Sequence, residues 1–362
     1  MDARIRAHAE TIADHSAAIS AGDAVVIVAP PAAADLTRAL YEACADRGAT
    51  PVSMSSDPRT TRAFLRGWDG AFETPEHLHA LYREMDVFIA VRGDANATEL
   101  ADVPPEVTAA YRRAMRPVLE TRLSKRWTLT QYPTPGAAQL AEMSTEAYEN
   151  FVWDAVSLDW DAQHERQAQI VELLDGAAEV QLRSGETTDL TLDISGNVAR
   201  NDTGQHNLPG GEVFTAPLVD GVDGEVHFDL PLYRQGREIT GVTLRFTDGE
   251  ITAFSAEKNE EVLEGIIETD PGARRLGELG IGMNRAIDRF TYNMLFDEKM
   301  GDTVHLAVGS AYPDTVGEGN ALNESAEHVD MIVDMSTDSS ITVDGEVIQR
   351  DGRFFFESGF EA

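Results

Sequence analysis

The chain has 362 residues and a formal net charge of −34, from 63 acidic and 29 basic residues. At this length two domains are expected, and a hydrophobic content of 42% indicates packed globular domains rather than a disordered chain. So acidic a surface excludes nucleic acid and anionic membranes as favoured partners, because both are negatively charged themselves.

The acidic residues are scattered along the chain, whereas lysine occurs only at Lys125, Lys258 and Lys299. Scattered acids with few lysines are typical of haloarchaeal protein surfaces, so we predict a halophilic protein. In ~1 M salt the Debye length falls to roughly 3 Å, which screens the self-repulsion of such a charge. The alternative is an ordinary acidic enzyme.

Cysteine usage and the first residues predict a soluble, cytoplasmic protein. The single cysteine, Cys44, cannot form an intrachain disulfide. Residues 1–8 contain no apolar segment typical of a signal peptide. The longest apolar run, residues 24–34, is interrupted by Pro30 and Pro31 and is too short to span a bilayer.

The first half alternates between strand-like and helix-like patterns. A β-branched run at residues 24–29 predicts a strand buried on both faces, and the helical pattern after it stops at Gly48. This alternation continues and favours a mostly parallel sheet with right-handed crossovers. The further predicted strands are 51–54, 86–92 and 127–131, and the predicted helical segments are 33–47, 60–85, 108–123 and 145–174.

A parallel sheet of this kind raises the question of a dinucleotide cofactor. The turn after the first strand, residues 29–35, contains no glycine where the backbone would approach a pyrophosphate. We therefore expect neither a nicotinamide nor a flavin cofactor.

In the second half, apolar and polar residues alternate with a period of two, which predicts strands at 179–183, 188–194, 241–246 and 251–254. One helix is predicted after them, at 260–267. We place the domain boundary near residue 178. The predicted architecture is an α/β N-terminal domain (1–178) with a mostly parallel sheet, followed by an α+β, strand-rich C-terminal catalytic domain (179–362).

Histidines and carboxylates in the second half indicate a metal site. His328 and Asp330 are two residues apart on a predicted strand, so their side chains share a face, and His305 lies on another short strand. Imidazole and carboxylate together suit a divalent metal such as zinc or cobalt. Glu212 follows the turn sequence 207–211, which would hold its carboxylate at a rigid strand start, and the glycines that flank Glu278 permit close backbone approach. The alternatives are a hydrogen-bonded His–Asp pair and two surface acids.

Five sequence blocks, in order, resemble the aminopeptidase T family of thermophilic-type metallo-aminopeptidases. The resemblance also reaches the first half, at residues 127–135 and 143–148, and so covers most of the chain. The five blocks are residues 207–217, 276–282, 295–299, 305–312 and 323–330.

Carried over position by position, the resemblance implies two divalent ions per chain and a homodimer. The implied ligands are Glu212, Glu278, His305, His328 and Asp330, with Glu278 bridging. Glu278 and Tyr312 are the implied catalytic residues, with Tyr312 at the edge of the site. Val329 departs from the tryptophan that is commoner between the last two ligands, and Glu298 has no assigned role.

The predicted function is a metal-dependent aminopeptidase that hydrolyses N-terminal residues from peptides through a metal-activated water. Zinc or cobalt is expected, with manganese and magnesium as alternatives. Two other functions stay open: another metal-dependent amide hydrolase such as a dipeptidase, and a non-catalytic metal-binding scaffold. A serine hydrolase is disfavoured because no Gly-x-Ser-x-Gly occurs.

Overall fold

A computed structural model describes residues 1–93, 95–96, 98–234 and 237–361. A π-helical turn at Ile12–Ser16 continues the first helix, and 3-10 turns lie at Pro31–Ala33 and Pro271–Arg274. The α-helices are α1 (Ala3–Thr11), α2 (Ala34–Arg47), α3 (Pro58–Gly67), α4 (Glu76–Glu84), α5 (Pro105–Leu123), α6 (Pro135–Leu140), α7 (Thr145–Val156), α8 (Trp160–Leu174), α9 (Glu260–Ile267) and α10 (Met294–Asp297).

Among the described residues, the strands are few in the first half of the chain and more numerous in the second. They are β1 (Ala24–Ala29), β2 (Thr50–Ser55), β3 (Val87–Arg92), β4 (Arg126–Gln131), β5 (Glu179–Ser184), β6 (Thr188–Asp193), β7 (Arg200–Asp202), β8 (Asn207–Leu208), β9 (Glu212–Thr215), β10 (Val222–Phe228), β11 (Leu232–Arg234), β12 (Arg237–Ile239), β13 (Val242–Thr247), β14 (Glu250–Ser255), β15 (Leu276–Gly282), β16 (Thr303–Gly309), β17 (His328–Asp334), β18 (Ser339–Val343), β19 (Glu346–Arg350) and β20 (Arg353–Phe354).

Two compact units divide the chain, and the first comprises Met1–Leu158 with Gly204–Gly210. Its sheet has the order β2-β1-β3-β4-β8, and every pairing in it is parallel. The β-branched run of β1 is buried, as expected for a strand covered on both faces. The predicted α/β class of this half is confirmed. Helix α2 ends at Gly48, whose φ of 73° is the left-handed conformation that glycine adopts without strain.

The helical segments predicted within 60–85 are two helices, and the long helical prediction over 145–174 was wrong in its continuity. The segment 60–85 is divided into α3 and α4, because Pro75 disfavours helical backbone before it and the two glycines Gly67 and Gly70 weaken the stretch between. The segment 145–174 is divided into α7 and α8. Asp159 starts the second helix by accepting a 3.1 Å hydrogen bond from the backbone N–H of Ala162.

The second unit comprises Asp159–Thr203 and Gly211–Ala362, and its two main sheets are antiparallel. One has eight strands in the order β14-β13-β10-β6-β5-β18-β19-β20, and the other five in the order β17-β16-β15-β9-β7. One hydrophobic cluster, which includes Leu190, Leu279 and Val304, packs side chains from both sheets. The predicted strand-rich α+β class is therefore confirmed.

The predicted boundary near residue 178 lies inside the second unit, between α8 and β5, whereas the first unit ends at Leu158. The segment Gly204–Gly210 belongs to the first unit because β8 pairs with β4. Among the described residues, none of the helices is both long enough and apolar enough to cross a membrane.

Candidate metal centre

The five-stranded sheet of the second unit carries the predicted site residues on one face. Side chains alternate along a strand, and residues paired across antiparallel strands share a face. Gly280 pairs with His305, Gly282 with Glu212, and Ala307 with both Glu278 and Asp330. The sheet therefore brings together all five predicted ligands: Glu212 on β9, Glu278 on β15, His305 on β16, and His328 and Asp330 on β17.

The five side chains form two groups that share one carboxylate. In the first group, Nε2 of His305 lies 3.3 Å from Oε2 of Glu212 and 3.2 Å from Oε1 of Glu278. In the second, Nε2 of His328 lies 3.5 Å from Oε2 of Glu278 and 3.4 Å from Oδ1 of Asp330. Within each group the candidate ligand atoms lie within 4.8 Å of one another. Glu278 turns one oxygen toward each group.

The glycine at position 280 creates the room for the His305 ring. A Cβ atom placed on Gly280 would lie 2.0 Å from both Cε1 and Nε2 of His305, far inside van der Waals contact. The imidazole therefore lies directly over the backbone of β15. Close backbone approach at this glycine agrees with the interpretation of the glycines that flank Glu278.

The donor set fits a divalent cation. Among the described residues, Oε2 of Glu212 and Oε2 of Glu278 are buried and have no hydrogen-bond partner. Buried carboxylate oxygens are costly without a partner, and a cation between the imidazole and carboxylate groups would supply one. Oxygen and imidazole nitrogen donors together suit zinc, cobalt or manganese.

Burial and close charges shift the pKa values of these groups in opposite directions. Burial raises the pKa of the Glu212 and Glu278 carboxyls. Burial alone would lower the pKa of His305, but the carboxylates of Glu278 and Glu212 raise it to about 9. Burial would also lower the pKa of His328, but the carboxylate of Asp330 raises it to about 10. Without a metal, the cluster therefore stabilises protons on its histidines.

A backbone contact fixes the orientation of His328. Its Nδ1 lies 2.8 Å from the carbonyl oxygen of Ser310 and donates to it, which directs Nε2 toward Glu278 and Asp330. A backbone carbonyl on the other ring nitrogen is the usual means of orienting a metal-binding histidine.

Tyr312 lies at the edge of the cluster, in the loop after β16. Its ring centroid is 5.1 Å from the ring centroid of His328 and 5.8 Å from that of Phe214, and the side chain is half-exposed. Partial burial, with the nearby carboxylates of Glu278 and Asp330, raises the pKa of its phenol. The hydroxyl therefore stays protonated at neutral pH and can donate a hydrogen bond.

Lys299 and Asp202 lie beside the cluster, and the sequence did not predict either as a site residue. Lys299 is fully buried, and its Nζ lies 3.0 Å from Oε1 of Glu212 and 3.9 Å from Oδ2 of Asp202. Lys299 also forms an ion pair with Glu298, the residue to which the sequence assigned no role. The signal available in the sequence was the rarity of lysine, since Lys299 is one of three and lies in a block that carries the family resemblance.

Comparison with known proteins places the chain in a family. The family model described as thermophilic metalloprotease (M29) matches residues 1–359. The chain belongs to this M29 family. It is 30% identical to Aminopeptidase 2 of Geobacillus stearothermophilus, over 94% of each chain, and 29% identical to Aminopeptidase T of Thermus thermophilus, over 86% of this chain and 88% of that one.

The fold agrees with this assignment. The solved structure of wild-type AmpT from Thermus thermophilus superposes with a TM-score of 0.86 at 28% identity, covering 97% of this chain and 99% of that one. The resemblance to the aminopeptidase T family is thus confirmed. Membership of the M29 family likewise confirms the predicted metal-dependent aminopeptidase.

Proposed function

We propose that this M29 peptidase releases N-terminal residues from peptides at a site that holds two divalent ions. The observation that carries the proposal is that Glu278 belongs to both groups of candidate ligands. Glu212 and His305 complete one ion's site, and His328 and Asp330 complete the other. Two ions sharing one carboxylate is an arrangement suited to hydrolysis.

Zinc or cobalt is the proposed metal, with manganese and magnesium as alternatives, because the site mixes imidazole nitrogen with carboxylate oxygen. When bound, the ions would activate a water near neutral pH and polarise the peptide carbonyl. The chain's own residues orient this chemistry. Ser310 holds the His328 ring in place, and Gly280 leaves room for His305.

Tyr312 is the proposed donor to the oxygen of the substrate carbonyl. Its phenol stays protonated, stands beside His328, and is half-exposed, so a substrate can reach it. A donor aimed at the charge that develops on a carbonyl oxygen lowers the barrier to acyl transfer.

The carboxylate-rich cluster also suits a substrate with a free amine. Nitrogen is a ligand type that zinc and cobalt accept, so ions held by Glu212, Glu278 and Asp330 would bind the nitrogen of a free N-terminus directly. A requirement for a free amine distinguishes an aminopeptidase from a general amide hydrolase. Hydrolysis of any amide bond distinguishes both enzymes from a non-catalytic scaffold.

Chelation and a blocked substrate test the proposal together. Purified protein stripped with a chelator should lose cleavage of leucyl and arginyl peptides and regain it with cobalt or zinc. N-acetylation of the same peptides should stop turnover. Full activity in chelator, with no metal found by elemental analysis, contradicts the metal site. Equal cleavage of acetylated peptide favours another amidase.

A homodimer and a cytoplasmic location, expected from the family resemblance and from the sequence, complete the proposal. Sedimentation equilibrium in molar potassium chloride tests the first, and a single species of one chain's mass contradicts it.

A further inference from the structure

Lys299 is buried without any exposed surface, whereas Lys258 has a side chain that is 55% exposed. Burying an ammonium group is strongly unfavourable unless close opposite charges offset the lost hydration. At Lys299 three carboxylates do so, those of Glu212, Glu298 and Asp202. Ammonium and carboxylates are thus mutually stabilised in the interior.

The two carboxylate oxygens of Glu212 contact different residues. Oε1 lies 3.0 Å from Nζ of Lys299, while Oε2 lies 3.3 Å from Nε2 of His305. In the described part of the chain, Oε2 has no hydrogen-bond partner. One oxygen is therefore held by the lysine, and the other is directed at the candidate ligands.

The formal charges around Lys299 match the proposed contents of the site. Five carboxylates and one ammonium, with neutral histidines, carry a net charge that two divalent ions would neutralise. The carboxylates are those of Glu212, Glu278, Glu298, Asp202 and Asp330.

We propose that Lys299 is a positioning residue for the metal site: it holds Oε1 of Glu212 so that Oε2 faces the ion shared with His305 and Glu278. The inference rests on the proposed function. Removing a partner that orients a metal ligand usually weakens metal binding by about 10- to 100-fold.

A double variant with unchanged net charge distinguishes a positioning role of Lys299 from an effect of its positive charge. Lys299→Met with Glu298→Gln removes one positive and one negative charge, so the net charge of the cluster is unchanged. The methionine keeps most of the volume of the lysine stem. Titrating Co²⁺ into the apoprotein should show affinity reduced by about 10- to 100-fold for one ion, with an altered cobalt absorption spectrum.

An exposed ion pair offers the matched control. Nζ of Lys258 lies 2.7 Å from Oε2 of Glu238, and both residues lie outside the cluster. The same substitutions there, Lys258→Met with Glu238→Gln, should leave the affinity for Co²⁺ and the cobalt spectrum as in the unaltered protein.

The single variant Lys299→Met provides a second measurement. If Lys299 acted through its charge alone, Lys299→Met would bind Co²⁺ more tightly than the unaltered protein, and the double variant would bind it with unaltered affinity. That pair of results overturns the proposal. Failure of both variants to fold, seen as loss of the thermal transition, assigns Lys299 to the fold and also overturns it. Unaltered protein that binds no Co²⁺ contradicts the proposed metal site itself, which is a separate outcome.

Discussion

Nε2 of His305 lies 3.2 Å from Oε1 of Glu278, across two paired strands whose residues are fully buried. Gly280 makes that approach possible, because a Cβ there would meet the imidazole at 2.0 Å. Gly280→Ala should displace the ring and lower metal affinity by at least about tenfold, comparable to the loss of a ligand-orienting contact. Calorimetric titration of the apoprotein with zinc measures the change.

Gly265 provides the control for that substitution. It is exposed in α9, and a Cβ there would meet nothing within 4 Å. Gly265→Ala should leave zinc binding unchanged and raise stability by about 0.5–1 kcal/mol, since alanine favours helix. Equal zinc affinity in both variants would show that the ring of His305 does not depend on Gly280.

Tyr312→Phe separates a catalytic role from a packing role. The ring contacts with His328 and Phe214 should persist, so bound metal and Tm should match the unaltered protein. Loss of one donor to a developing oxyanion lowers kcat by roughly 100- to 1,000-fold. Steady-state kinetics with a leucyl substrate measures kcat. An unchanged kcat supports packing alone, and loss of metal along with activity would make Tyr312 a ligand.

Stability should depend strongly on salt. A net charge of −34 repels itself, and lowering the ionic strength lengthens the range of that repulsion. Dialysis from molar potassium chloride into dilute buffer should lower Tm and finally unfold the chain. Scanning calorimetry across a salt series measures the effect. The same Tm at both extremes would refute the halophilic prediction.

A buried histidine in the first unit predicts a pH dependence. Burial lowers the pKa of His8 from 6.5 to about 3, and its Nε2 lies 2.8 Å from Oγ1 of Thr130. Between these pH values His8 is protonated in the unfolded chain and neutral in the folded chain. The contribution of His8 to the free energy of unfolding is therefore fully present above pH 6.5 and is lost as the pH falls toward 3. For this group alone the loss between pH 7 and pH 5 is about 2 kcal/mol.

The variant His8→Gln removes this titration and keeps a side chain that can bond Thr130. Urea denaturation in molar salt, at pH 7 and pH 5, gives the free energy of unfolding for both proteins. The advantage of His8 over glutamine should shrink at pH 5. A difference that is constant with pH would mean that His8 does not titrate between the folded and unfolded states.

Local patterns in the sequence predicted the strands that carry His305 and His328 but not β15, and the period of two correctly put His328 and Asp330 on one face. The grouping of Glu212 and Glu278 with them depended on the family resemblance, because strand pairing joins residues far apart in sequence. Lys299 was missed for a related reason. It follows the one-turn helix α10, where no periodicity distinguishes a buried side chain from an exposed one.

Because Gly204–Gly210 belongs to the first unit, the two units cannot be separated by cutting the chain at one point. The chain passes between the units after Leu158, Thr203 and Gly210, so no single break separates them. A fragment ending at Leu158 would lack β8 and leave β4 as an unpaired edge, open to other chains. Recombination between relatives should therefore succeed only when those seven residues are inherited from the same parent as the first unit.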